Sequence, residues 1–217
     1  MPTGATPSLL ATRRALHCVA ELVLAGPQYD TSGTIRLRVT PGGFGTVKEP
    51  DVGVRGGRVV GPQGESGIDG RTAAEIAAAV GVTARPLSDL YSGGPNVPAD
   101  EVLHASDEEA AVLADVLAVG NEALSAFAPE QEAVIWPEHF DIGLSVDEVN
   151  YGVSPGDDFS PTPYAYVGPW SVPQGEFWNA PFGAYRGVSD ETTVEQLLSF
   201  FREGRAAVAQ AQAPASS

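Results

Sequence analysis

Cysteine, lysine and methionine are almost missing from this chain, which carries only Cys18, Lys48 and Met1 of these types in 217 residues. A lone cysteine excludes an intrachain disulfide and any cysteine-built zinc site, and it fits a reducing compartment, so a cytoplasmic location is expected. Basic charge is also scarce. Twelve Lys and Arg stand against 28 Asp and Glu, a net charge of −16, and no Lys or Arg occurs from residue 86 to 185. Such a chain repels polyanions, and with no basic patch in the sequence nucleic acid is not an expected partner. Long hydrophobic runs are missing too: no stretch reaches the roughly 20 apolar residues that span a bilayer. Adjacent Arg13 and Arg14 before an apolar run resemble a twin-arginine export signal, but that run contains His17 and Glu21 and repeats with helical period, so it reads as part of the fold.

What remains is a balanced globular composition, 43% apolar and 18% charged, long enough to bury a core. Thr6-Pro7 is a helix start and Gly26-Pro27 a helix stop, with Leu16 and Val23 among the residues of one apolar face. His17 and Glu21, four apart, share a face of that helix and come within reach of each other or of one metal ion; an ordinary ion pair or a core histidine is the plainer reading. TIRLRVT (34–40) alternates as a half-buried strand, PGGFGT breaks it, and DVGVRGGRVV forms a hairpin turning at Gly56-Gly57. After a Gly-rich loop, RTAAEIAAAVG is a short helix, and 82–105 is an ordered surface connection carrying His104. Ser106 and Glu109 make a capping box that opens a second long helix to Phe127.

From Val134 to Tyr166 the sequence reads as three or four strands of an antiparallel meander, and a last helix covers 193–207. The expected fold is α+β: an antiparallel, strongly twisted sheet packed by two long helices and one or two shorter ones. One domain over 1–217 is expected, with two similar αβ halves, 7–100 and 101–210, suggested by an offset of 96 that sets Pro41 on Pro137 and Phe44 on Phe140.

The candidate chemistry lies in AVIWPEHFDIGL. In a regular strand Phe140, Ile142 and Leu144 point one way while His139 and Asp141 point the other, and a bend at Pro137 brings Glu138 toward the same site. Imidazole with carboxylate suits acid–base catalysis, for which His139, Asp141 and Glu138 are the candidates, or a divalent metal held by His139, Asp141, His17 and Glu21. The plainer alternative is structural hydrogen bonding. Gly152-Val153-Ser154-Pro155-Gly156 matches the nucleophile-elbow pattern, but Pro155 has no N–H to offer an oxyanion and no helix can start at DDFSPTP, so the stretch reads as a turn. Nine aromatic residues between Tyr151 and Tyr185 are either core or the wall of a small-molecule pocket, with Tyr164, Tyr166 and Asn179 the candidate ligand-binding residues.

The stretches RVTPGGFGT, WPEHFDIGL, NYGVSPGD, PYAYVGPW and FWNAPFGAY together resemble a family of uncharacterised proteins from high-GC bacteria, over most of the chain, and more distantly a larger bacterial domain family of unknown function. That resemblance implies no activity and no catalytic residue. Two functions are therefore expected to compete: a small-molecule binder or enzyme built on His139, Asp141 and Glu138, and a non-catalytic interaction protein whose aromatic C-terminal third covers a partner or a second copy of the chain as a homodimer.

Overall fold

The computed structural model describes residues 4–212. Thr6 caps α1 (Pro7–Val19) by accepting the Leu9 N–H on its side chain, as Thr-Pro requires. The helix does not stop at Gly26-Pro27. It passes through a π-helical turn (Ala20–Ala25) into α2 (Gly26–Ser32). There the Gly26 N–H bonds the Glu21 carbonyl, five residues back, in a turn wide enough to admit a proline that has no N–H and whose ring would crowd an ordinary helix. The widened turn leaves the Leu22 carbonyl free to accept the Arg85 N–H, so the irregular 82–105 connection docks on it.

Ten strands form one sheet, antiparallel at every step: β1 (Leu37–Thr40), β2 (Gly43–Thr46), β3 (Gly53–Arg55), β4 (Arg58–Gly61), β5 (Gly64–Gly67), β6 (Val134–Trp136), β7 (Asp141–Val146), β8 (Val149–Ser154), β9 (Tyr164–Pro169) and β10 (Ala184–Gly187). The order across the sheet is β5-β4-β3-β2-β1-β6-β7-β8-β9-β10. Two five-stranded meanders thus meet at their first strands, through the Leu37–Ile135 pair. PGGFGT does not end the first meander: Pro41-Gly42 is a two-residue turn, and Gly43 to Thr46 pair back onto β1. The Gly-rich loop likewise contains β5, and β10 lies in a stretch with no strand pattern.

Among the described residues the remaining helices are α3 (Ala73–Val80), α4 (Asp107–Phe127) and α5 (Val194–Gln212), and the order of helix, five-stranded meander, helix occurs twice. Thr72 and Glu75 form a full capping box on α3, and Ser106 caps α4. Against one face of the sheet lie α4 and α5, with α1 packed on α4, and Phe140, Ile142, Tyr151, Val153 and Val167 are buried. Phe127 of α4 and Phe201 of α5 close over Tyr151 with ring centroids 4.5 and 6.0 Å away. Where the halves join, Phe44 meets Phe140 edge-on at 5.3 Å, and His17 stacks on Phe140 at 5.5 Å. Among the described residues α4 is the one helix long and apolar enough to cross a bilayer, with a mean hydropathy of 1.4, and half of that window is buried inside the fold.

Candidate functional site

The opposite face of β7, β8 and β9 is not covered by a helix. Alternation along these strands puts Asp141, Gly143, Asn150, Gly152, Ser154, Tyr164, Tyr166 and Gly168 on it. Tyr166 does not stand upright there. Its ring lies down across two strands: a Cβ added to Gly152 would sit 2.3 Å from the Tyr166 hydroxyl, and one added to Gly143 would sit 2.8 Å from it. Only glycine at both positions lets the ring lie against the backbone. The hydroxyl thereby reaches Asp141 and donates to its Oδ2.

Asp141 is 8% exposed, and its other oxygen, Oδ1, has no hydrogen-bond partner. Burial raises its carboxyl above the ordinary value of 3.8, against the opposing pull of the Tyr166 hydrogen bond and of His139. The same burial, with Asp141 as neighbour, holds the Tyr166 phenol well above its usual range. A second pair runs beside the first. The Tyr164 hydroxyl donates to Asp157 Oδ2 at 2.5 Å, and its ring centroid is 6.3 Å from that of Tyr166. Asp157 Oδ1 accepts from the Phe159 and Ser160 amides, so this carboxylate, unlike Asp141, is fully engaged.

These groups line an open hollow of about 620 Å³, with His139 at its rim and Trp170, Val172 and Phe182 as walls. His139 and Asp141 therefore share a concavity, but they do not form a hydrogen-bonded pair. The strand expected through Phe140 begins only at Asp141. Residues 137–140 make a turn closed by the Phe140 N–H on the Trp136 carbonyl, with Phe140 at φ 54°, and the turn lifts His139 off the sheet. Its side chain is 66% exposed, and Glu138 Oε2 stands 3.8 Å from Nε2, beyond hydrogen-bond reach. Glu138 lines the two hollows on either side rather than this one.

The remaining candidates are engaged elsewhere. His17 Nε2 bonds the Pro137 carbonyl at 2.8 Å, and burial lowers its pKa to about 4. Glu21, 4% exposed, accepts from the Leu87 amide and the Tyr91 hydroxyl. The two residues do share a helix face, but each faces its own partner. Asn179 is a clamp: its side chain accepts the Tyr185 N–H and donates to the Tyr185 carbonyl. His104 is distant and exposed beside Asp69. Among the described residues no three His, Cys, Asp or Glu side chains come together closely enough to hold a metal ion, so the expected ligand set His139, Asp141, His17 and Glu21 is not assembled. Ser154 Oγ accepts the Gly156 N–H and no helix follows it, so the elbow-like pattern is a turn, as its proline demands.

Chemically, the arrangement offers a dehydrated carboxyl whose free oxygen can accept or give a hydrogen bond, steadied by one phenol and flanked by an imidazole. Sequence reading missed the glycine track of Gly143 and Gly152. Its signal was present: glycine inside two strands marks a close approach. No family model, no curated protein and no solved structure matches this chain.

Proposed function

We propose that the chain binds a small molecule in the hollow on the open face of β7, β8 and β9, with Asp141 as its buried polar anchor, Tyr164 and Tyr166 as floor and His139 at the mouth. One observation carries this reading: a carboxylate more than nine-tenths buried keeps one oxygen unpartnered beside a concavity. Burying such a group without a partner costs on the order of 1–3 kcal/mol, a cost that a bound ligand supplying a donor offsets. A concavity that sets aromatic walls, here Tyr164, Tyr166, Trp170 and Phe182, beside convergent polar groups is a common form of a small-molecule site.

A second reading gives Asp141 a proton-transfer role on the bound molecule, favoured by the burial that raises its carboxyl toward the range useful to a general acid or base. Both readings need the hollow. Gly168 lines it, and a Cβ there would meet only ordinary contacts, the nearest 3.5 Å away. Gly168→Leu is therefore expected to fold and to fill the space, and its circular dichroism spectrum checks the fold. Saturation-transfer NMR with a fragment library is expected to find binders to the wild type that are lost in Gly168→Leu; binders indifferent to that substitution contradict the proposal.

A further inference from the structure

The hollow beside Asp141 is chemically one-sided. Its lining holds two carboxylates, Asp141 and Asp157, and one imidazole, with neither Lys nor Arg. Strands β6 to β9 and their loops can supply none, because they fall in the stretch from 86 to 185 that lacks both. Basic groups come from other elements: Arg13 of α1, which donates to the Pro161 carbonyl at 3.0 Å, lies in the field of Asp157 and Asp158, and Arg36, at the edge of an adjoining hollow that also reaches Asp141, stands over the Trp136 ring at 5.7 Å and makes no ion pair with Asp141. Asp157 also holds the Tyr164 hydroxyl and two amides. Asp141 has the Tyr166 hydroxyl, the field of His139 and its own backbone amide, and its Oδ1 stays without a hydrogen-bond partner.

Above this under-compensated carboxylate stand aromatic rings. Tyr164 and Phe182 pack at 6.4 Å, and Trp170 stands 71% exposed at the wall, a costly position for an indole unless something covers it. An anion entering here meets two carboxylates. A neutral ligand leaves an ionised Asp141 uncompensated. A metal ion finds no group of three His, Cys, Asp or Glu side chains among the described residues. A cation that brings its own N–H donors and accepts ring faces matches both halves of the lining, through a charge-assisted hydrogen bond and cation–π contact.

We infer that the ligand of this hollow is a small organic cation, an ammonium, amidinium or guanidinium group whose N–H donates to Asp141 and whose charge lies against Trp170 and the tyrosine rings. The inference rests on the small-molecule reading above and adds the charge class. The same cation can be free or can be the side chain of an arginine or lysine in a peptide.

The test is a matched series of one shape and three charges: benzamidinium, benzamide and benzoate, titrated calorimetrically into the full chain and into Asp141→Asn, Trp170→Ala and Gly168→Leu. Benzamidinium is expected to bind the wild type. Asp141→Asn, which keeps an acceptor for Tyr166, is expected to weaken it by about tenfold or more, and Trp170→Ala, at an exposed position, by a few-fold. Binding of benzamide or benzoate in preference, still lost in Gly168→Leu, overturns the cation assignment while the hollow remains a ligand site. No binding by any of the three, together with a fragment library that is equally silent, overturns both. An acetyl-Gly-Arg-Gly-amide arm separates the sources: tighter binding than benzamidinium assigns the cation to a peptide side chain, and weaker binding assigns it to a free small molecule.

Discussion

Tyr166 reaches Asp141 from two strands away by lying flat over Gly152 and Gly143, so a buried carboxylate on β7 is held by a hydroxyl from β9. The contact depends on what is missing between them. A methyl group at Gly152 would stand 2.4 Å from the Tyr166 ring and 2.6 Å from the Ile142 carbonyl, leaving the ring no place to lie. Gly152→Ala is therefore expected to destabilise the chain by about 2 kcal/mol or more, and Tyr166→Phe, which removes only the donor, by about 1–3 kcal/mol. Urea denaturation checks both. Because they act through one contact, the double variant should cost less than their sum.

Asp141 makes its own pH signature. Its folded-state value lies above the ordinary 3.8, so between those two values the native chain holds a proton that the unfolded chain has lost, and stability falls as pH rises through that window. Tyr166, His139 and Asp157 are the titratable groups facing it, and only burial and Asp157 push it upward. Asp141→Asn should remove this slope and match or exceed wild-type stability at neutral pH. Melting temperature against pH for the two proteins makes the comparison.

His17 acts in the opposite direction. With its folded-state value lowered to about 4 from 6.5, it contributes stability that is present above 6.5 and lost as pH falls toward 4. His17→Gln should flatten that acid limb, at the cost of the stack on Phe140. Chemical denaturation at several pH values between 4 and 7 reads the difference in slope.

Glu21 ties the 82–105 connection to the helix through the Leu87 amide and the Tyr91 hydroxyl. Glu21→Ala should leave the buried Leu87 amide and the half-buried Tyr91 hydroxyl unpaired, cost about 2 kcal/mol or more, and speed hydrogen exchange at Leu87 and its neighbours well before the sheet amides are affected.

Local rules carried far in this chain. Thr6-Pro7 and Ser106 marked helix starts where caps are found, and alternation through Phe140, Ile142 and Leu144 assigned the buried face of β7. They failed where a distant segment decides. Pro27 sits inside a helix because a π turn accommodates it and the Arg85 N–H uses the carbonyl set free. Gln28, fully buried, holds four backbone groups, the carbonyls of Thr34 and Arg36 and the amides of Val47 and Lys48, a clamp that no periodicity announces. At the site, His139 and Asp141 line one hollow, but His139 does so from a turn rather than from the strand that spacing implied, and the partner of Asp141 is a tyrosine 25 residues on. Pairing across β8 follows from strand register, and register is a property of the assembled sheet.

The central claim is that Asp141 and its hollow are where this chain meets a ligand, and amide shift mapping of the isotope-labelled protein with its tightest-binding fragment tests it most directly. Perturbed amides are expected to cluster in 139–143, 150–154 and 164–170. A cluster instead around the separate hollow of about 440 Å³ lined by Arg38, Asp51 and Arg55 would contradict the account.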